Sequence, residues 1–287
     1  MKTVLITGAG GQLGKCFELA TREMDDIDWL FMDSNEVDIT LTYDLQQVFS
    51  SKRIDFCINC AAYTNVEKAE DDREKAFLIN ATAVKNLAEI CKKNRTVLFH
   101  FSTDYVFDGS ASTPYKEEDQ TAPINVYGAS KLKGEQFIEE ISHAYFIFRT
   151  SWLYSQFGHN FYKTILNKAR EGAALNITTS QTGTPTNANH LARLIVGLIK
   201  ENNSNYGLYH YSNTGQTTWY GFAREILKIS GNLDSVSLKE DNSYQTIAKR
   251  PAYSVLDKEK VQAGLSKSIA SWEDALKELY ETGSVKD

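Results

Sequence analysis

No apolar run among these 287 residues is long enough to cross a bilayer. The opening Met1-Lys2-Thr3-Val4-Leu5-Ile6-Thr7 breaks at Gly8, short of the apolar core a signal peptide needs, so the cytoplasm is the expected compartment. Cysteine is scarce. Cys57-Ile58-Asn59-Cys60 has redox-motif spacing but continues an apolar run from Ile54 that reads as a strand, where residues i and i+3 point to opposite faces. These two and Cys16 and Cys91 are read as small buried hydrophobes. Positive charge is in deficit: 31 Lys and Arg stand against 37 Asp and Glu, a formal net charge of -6. That argues against a general binder of nucleic acid or anionic membrane, but leaves room for an anionic small ligand held by a local cluster of donors. There is no internal repeat, low-complexity segment or linker.

What is present, 42% hydrophobic and 24% charged residues, is the composition of a soluble globular chain. Its length allows one large domain or a domain with a smaller lobe. Thr3-Val4-Leu5-Ile6-Thr7 is a short β-branched run that stops at Gly8-Ala9-Gly10-Gly11-Gln12-Leu13-Gly14, and a helical pattern follows through Phe17 and Ala20. Strand, glycine-rich turn and helix in that order are what a dinucleotide fingerprint requires. Gly8, Gly11 and Gly14 let the backbone turn tightly and approach a pyrophosphate at the helix N-terminus. The next strand, Trp29-Leu30-Phe31-Met32, ends at Asp33, 19 residues after Gly14, where a carboxylate accepts from the adenosine ribose hydroxyls. No Arg or Lys occurs between Phe31 and Leu41 to offset that charge. NADH is therefore expected to serve at least as well as NADPH.

The alternation continues. Helices are expected from Leu41 to Ser51, from a capping box at Asp71-Asp72-Arg73-Glu74 to about Asn94, and from Tyr127 to about Ile141. Strands are expected over Asp55 to Cys60, Thr96 to Phe101 and Tyr145 to Phe148. Strands apolar on both faces, alternating with amphipathic helices, predict an α/β protein: a Rossmann-type doubly wound parallel sheet with a smaller C-terminal substrate-binding lobe. Residues 1–150 form the expected NAD(P)-binding domain, joined by 187–211, whose strand Gly207 to Tyr211 returns to the sheet. Residues 151–186 and 212–287 form the expected lobe. Ligands in such sheets bind beyond the carboxyl ends of the strands. Ala61-Ala62-Tyr63-Thr64, Ser102-Thr103-Asp104 and Thr150-Ser151-Trp152 all follow strands and should share one crevice.

Tyr127 and Lys131 stand one turn apart on a single helix face. An ammonium beside a phenol favours the phenolate and should lower the Tyr pKa. With a hydroxyl from Ser102 or Thr103, the pair makes a general acid for a carbonyl oxygen receiving hydride at its carbon. His100, Phe146 and Phe148 are read as packing positions.

Gly8-x-x-Gly11-x-x-Gly14, Asn80 and Tyr127-x-x-x-Lys131 resemble, in order and spacing, the extended short-chain dehydrogenase/reductase family. Ala61 to Glu70, Ser102 to Gly109, Arg149 to Tyr154, Gln181-Thr182-Gly183-x-Pro185-Thr186 and Arg250-Pro251-x-x-Ser254-x-Leu256-Asp257 extend the likeness to the branch that reduces dTDP-bound keto sugars. The resemblance implies hydride transfer from NADH or NADPH to the C4 ketone of a dTDP-4-dehydro-6-deoxy sugar. It implies Thr103 as the catalytic hydroxyl, Tyr127 as proton donor and Lys131 as holder of the nicotinamide ribose. Gly11, Gln12, Leu13, Asp33, Asp38, Ile39, Ala62, Tyr63 and Thr64, with Gly8, Gly14 and Ala61, would line the dinucleotide. Thr103, Asp104, Tyr127 and Trp152 would touch the sugar. Arg250 would take the diphosphate in a bidentate fork, or else make a surface salt bridge.

Other readings stay open: an epimerase or dehydratase of the same family, another nucleotide-sugar reductase, or a non-catalytic regulatory subunit on this fold. Dehydratases of the family typically carry an acidic pair after the hydroxyl residue, whereas Tyr105 follows Asp104 here. Some family members bind Mg²⁺ at a dimer interface through a glutamate two residues past the last fingerprint glycine. That position is Cys16, a poor ligand for a hard cation, so no metal site is expected, while a homodimer remains compatible.

Overall fold

The computed structural model describes residues 1–243 and 245–283. Tyr244 and residues 284–287, which fall within the expected lobe, lie outside the described residues. Five strands, β1 (Lys2–Thr7), β2 (Ile27–Met32), β3 (Phe56–Asn59), β4 (Val97–Thr103) and β5 (Tyr145–Thr150), join with Gly207–His210 in one parallel sheet. The order from one edge is Gly207–His210, β5, β4, β3, β1, β2. Chain direction across the sheet reverses between β1 and β3, which opens a crevice beyond their carboxyl ends.

Alternation within each strand places the core. Val4, Ile6, Ile58, Phe99, Phe146 and Phe148 pack on one face with Leu13 and Phe17 of α1 (Gln12–Thr21) and with α8 (Ala188–Lys200). Leu5, Cys57, Leu98 and Ile147 pack on the other with α2 (Thr42–Ser51), α5 (Ala83–Asn94) and α6 (Val126–Ile141). Cys57 and Cys60 accordingly serve opposite faces, Cys60 packing beside Cys16 in the first cluster. Two short helices, α3 (Val66–Asp71) and α4 (Arg73–Phe77), precede a π-helical turn over Leu78–Thr82 that runs into α5. The capping box expected over Asp71-Asp72-Arg73-Glu74 does not form: Asp71 ends α3, and Asp72 at the N-cap of α4 accepts nothing from the helix and faces the Tyr63 hydroxyl at 3.5 Å.

A separate cluster, built on Tyr154, Tyr162, Ile165, Phe222, Ile226, Trp272 and Leu276, joins α7 (Phe161–Arg170), α9 (Trp219–Ile229) and α11 (Trp272–Gly283). Between α9 and α11 lies α10 (Glu259–Gly264), whose Val261 packs into the sheet cluster with Leu265. Gln12 bridges the two bodies, donating to the Leu153 carbonyl at 3.2 Å and accepting from Asn160 at 2.7 Å. Among the described residues no helix is long and apolar enough to cross a membrane.

Candidate active site

The expected polar groups converge because each follows a strand or opens a helix beside one. Thr103 is the last residue of β4, and its hydroxyl accepts from the Tyr105 amide at 3.1 Å as the chain turns into Asp104–Val106. Helix α6 starts at Asn125, whose side chain caps it through the Gly128 amide at 2.7 Å. A Cβ on Gly128 would lie 2.1 Å from the Tyr105 carbonyl oxygen, and one on Gly134 2.2 Å from that of Asn80. The two missing methyl groups let α6 lie against both the turn after β4 and the π-helical segment. Asn80 in turn holds the loop after β3, accepting from the Tyr63 amide at 2.9 Å and donating to Tyr63 O and to Ser130 on α6. A π-helical turn at a functional position is a common use of that geometry.

Thr103, Asp104, Tyr127, Lys131, Trp152, Leu13 and Thr64 line one cavity of about 490 Å³. Gly8, Asp33, Asp38, Ile39 and Ala61 line a second of about 620 Å³. Gly11, Cys60 and Ala62 are common to both, so the two are halves of one groove, and Gln12 faces the first half. Gly14, Tyr63 and Arg250 line neither. Gly14 seats α1 on Ala9, whose carbonyl oxygen would lie 2.5 Å from an added Cβ. Arg250 donates to Glu67 at 2.7 Å in a partly exposed ion pair and also meets the Tyr105 hydroxyl.

Inside the sugar-side half, burial dominates the electrostatics. It pushes the Tyr127 phenol up to about 12; the hydrogen bond with Thr103 pulls the other way and the Asp104 carboxylate adds to the rise. The expected lowering by Lys131 is overturned, because burial penalises the phenolate and outweighs it, while Lys131 Nζ lies 3.4 Å from His100 Nε2. Burial lowers Lys131 to about 8, against the opposing charge of Glu135. Burial also raises Asp104 to about 7, although Ser254 and Thr103 hydrogen-bond to it. A phenol that keeps its proton at neutral pH is a donor rather than a base, and a hydroxyl sits beside it to share the hydrogen bond.

Trp152 adopts a left-handed backbone (φ 45°), strained for a bulky residue. Its ring is held between Trp219, stacked at 3.7 Å and 10°, and Gly183, where a Cβ would come within 2.7 Å of the indole. Tyr105, next to Asp104 in the same turn, lines the cavity too, as do Trp219 and His159, which nothing in their local sequence marks. Lys75 on α4 lines the other half, opposite in charge to Asp33. The strand-end residues were legible from the alternation; Trp219, His159 and Lys75 reach the groove from segments only the fold brings near.

The groove suits a dinucleotide. Gly11 at the N-cap offers no side chain, so the first-turn amides of α1 carry no side-chain cap where the two halves meet. An anion fits there. Cys16, where the sequence made a hard-cation ligand unexpected, is buried, and burial pushes its thiol up to about 12. Among the described residues no group of three or more His, Cys, Asp or Glu side chains is placed to hold a metal.

Comparison with known proteins gives a consistent answer. The family model described as RmlD substrate binding domain matches residues 1–285. The dTDP-4-dehydrorhamnose reductase of Aggregatibacter actinomycetemcomitans is 35% identical, over 97% of this chain and 98% of its own. That of Escherichia coli K12 is also 35% identical, over 98% and 99%. A crystal structure of the Clostridium acetobutylicum dTDP-4-dehydrorhamnose reductase superposes with TM-score 0.93 at 36% identity, covering 99% of this chain and 100% of that one. The Bacillus anthracis enzyme, solved in complex with NADP, superposes with TM-score 0.91 at 38% identity, covering 98% and 99%.

Proposed function

This chain belongs to the RmlD substrate-binding-domain family, and from that premise we propose that it reduces the C4 ketone of dTDP-4-dehydro-β-L-rhamnose to dTDP-L-rhamnose with hydride from NADH or NADPH. The observation that carries the reading is the single cavity in which the Thr103 and Tyr127 hydroxyls and Lys131 meet, continuous through Gly11 with a nucleotide-sized groove.

A nicotinamide bound in that groove supplies the hydride. Gly11, Gln12 and Leu13 would hold the pyrophosphate, Asp33, Asp38 and Ile39 the adenosine, and Ala61, Ala62 and Thr64 the rest of the dinucleotide. Lys131 would hold the nicotinamide ribose. Tyr127 gives its proton to the carbonyl oxygen as negative charge develops there, and the Thr103 hydroxyl hydrogen-bonds that same oxygen. Asp104 and Trp152 bound the sugar. Arg250 reaches a diphosphate only by sharing or leaving Glu67, which holds it now.

Residues 1–150 with 187–211 are assigned to the nucleotide, and 151–186 with 212–287 to the sugar, α10 excepted. The reading extends to a cytoplasmic enzyme that needs neither nucleic acid nor membrane and that forms a homodimer, which light scattering tests. Incubation with the dTDP-keto sugar should consume one NADH or NADPH per product formed. Turnover with no net consumption would identify an epimerase or dehydratase. Tight cofactor binding with no turnover of any keto sugar would favour the regulatory-subunit reading.

A further inference from the structure

Nothing in the reaction described above uses His100, which the sequence marks only as a core position on β4. It is wholly buried, and both ring nitrogens meet polar groups. Asn59 Nδ2 lies 3.2 Å from Nδ1 and Lys131 Nζ lies 3.4 Å from Nε2.

The orientation of Asn59 decides what His100 can do. Its Oδ1 accepts from the Thr7 hydroxyl at 2.8 Å and from the Ala61 amide at 3.2 Å. A backbone amide can only donate, so the oxygen is fixed on that side and the NH₂ group faces His100. His100 Nδ1 is then an acceptor. Burial and the neighbouring Lys131 hold the imidazole uncharged, well below its ordinary pKa, so its one proton sits on Nε2, aimed at Lys131. An ammonium there meets a donor; only a neutral amine gains a hydrogen bond from His100. The other ionisable groups around Lys131 are Cys60 after β3 and Tyr127 and Glu135 on α6. Cys60 and Tyr127 are raised by burial and stay neutral, which leaves Glu135, ion-paired with Arg149, and Asp104 across the same cavity, raised to about 7, as the acidic groups.

We propose that His100 is a positioning residue for Lys131: fixed by Thr7 and Asn59 with its Nε2–H toward Nζ, it withholds an acceptor from the ammonium, so that Lys131 gives its ammonium to the nicotinamide ribose hydroxyls and takes up a proton as it does so. The inference rests on the reading of Lys131 as the ribose ligand. It makes cofactor binding proton-coupled at alkaline pH through a side chain that touches neither cofactor nor sugar.

Two measurements on the full chain test it. Nitrogen-15 spectra of histidine-labelled protein should show His100 protonated at Nε2 and bare at Nδ1. Calorimetric titration of NADH at pH 8, in buffers of different ionisation enthalpy, should show uptake of about half a proton, since Lys131 sits near 8. Asn59→Asp supplies a carboxylate that accepts from Nδ1–H. It should move the His100 proton to Nδ1, turn Nε2 into an acceptor for the Lys131 ammonium, cut the uptake to roughly a tenth of a proton and weaken NADH severalfold. A wild-type His100 protonated at Nδ1 would overturn the proposal, whatever the variant does. So would NADH binding without proton uptake. Failure of the wild type to bind NADH at all would instead overturn the reductase reading beneath it.

Discussion

Tyr127 shows how a motif can be read correctly for its place and wrongly for its electrostatics. Spacing put Tyr127 and Lys131 on one face, and they share one cavity, but proximity along a helix does not say where a flexible ammonium points. Lys131 turns to His100, and burial, which no local pattern reports, raises the phenol instead of lowering it. Tyr127→Phe removes the transferable proton and little else. Turnover should fall by about 10²–10⁴ while NADH still binds, as fluorescence titration will show; near-normal turnover would move the acid elsewhere. Asp104 gives a second prediction at this scale. Its folded pKa of about 7 lies above the ordinary value of 3.8, so the folded state holds the proton more tightly than the unfolded chain. The stability this provides is present below the ordinary value and lost as pH rises through about 7. Asp104→Asn escapes that loss. Its melting temperature should exceed the wild type's at pH 8 and match it near pH 4, and an equal difference at both pH values would refute the cause.

At the scale of elements, α6 is the part whose placement the chemistry depends on, and three contacts fix it. Gly128 and Gly134 admit backbone neighbours, and Glu135 meets Arg149 of β5 in a buried bidentate pair at 2.7 to 3.2 Å. The helix itself was legible, expected from Tyr127 to about Ile141 and found over Val126–Ile141, whereas its cap Asn125 was not read from the sequence. The clamp was not, since Glu135 looks like any charge on a helix face until β5 lies beneath it. Removing one partner of a buried ion pair leaves the other uncompensated. Arg149→Met should therefore destabilise by about 3–5 kcal/mol, measured by urea unfolding. Gly134→Ala is milder in chemistry but meets a backbone oxygen that cannot step aside. Its helix must shift outward, lowering turnover more than cofactor affinity because Tyr127 moves relative to Thr103. A Gly134→Ala enzyme with unchanged kcat would show that α6 has slack.

For the whole molecule, the parallel sheet was legible because buried strands alternate with amphipathic helices, and the strand-end residues followed from the sheet. What sequence order conceals is contact between distant segments. Glu67 and Arg250 are 183 residues apart, and Asp33 and Lys75 border one cavity only because the end of β2 and α4 come together there. The expectation that Asp33 alone governs the adenosine end thus omitted a cation of opposite effect. A 2′-phosphate there would feel both charges. Lys75 is exposed, so its attraction is worth at most about 1 kcal/mol, roughly fivefold in affinity. The charge of Asp33 opposes it by a similar amount in a solvated site. With the two effects comparable, NADH and NADPH should serve within about tenfold of each other, consistent with the NADP complex of the Bacillus anthracis relative. Each variant should tilt the balance its own way. Asp33→Ala should raise kcat/KM for NADPH relative to NADH, and Lys75→Ala should lower it severalfold with NADH unchanged. Thermal shifts give an independent reading, since a ligand at 100 times its Kd stabilises by about 2.7 kcal/mol. Lys75→Ala should lose part of the shift with NADPH and none with NADH. An equal loss with both cofactors would place Lys75 on a part of the nucleotide they share, and the explanation of cofactor choice would fall back on Asp33 alone.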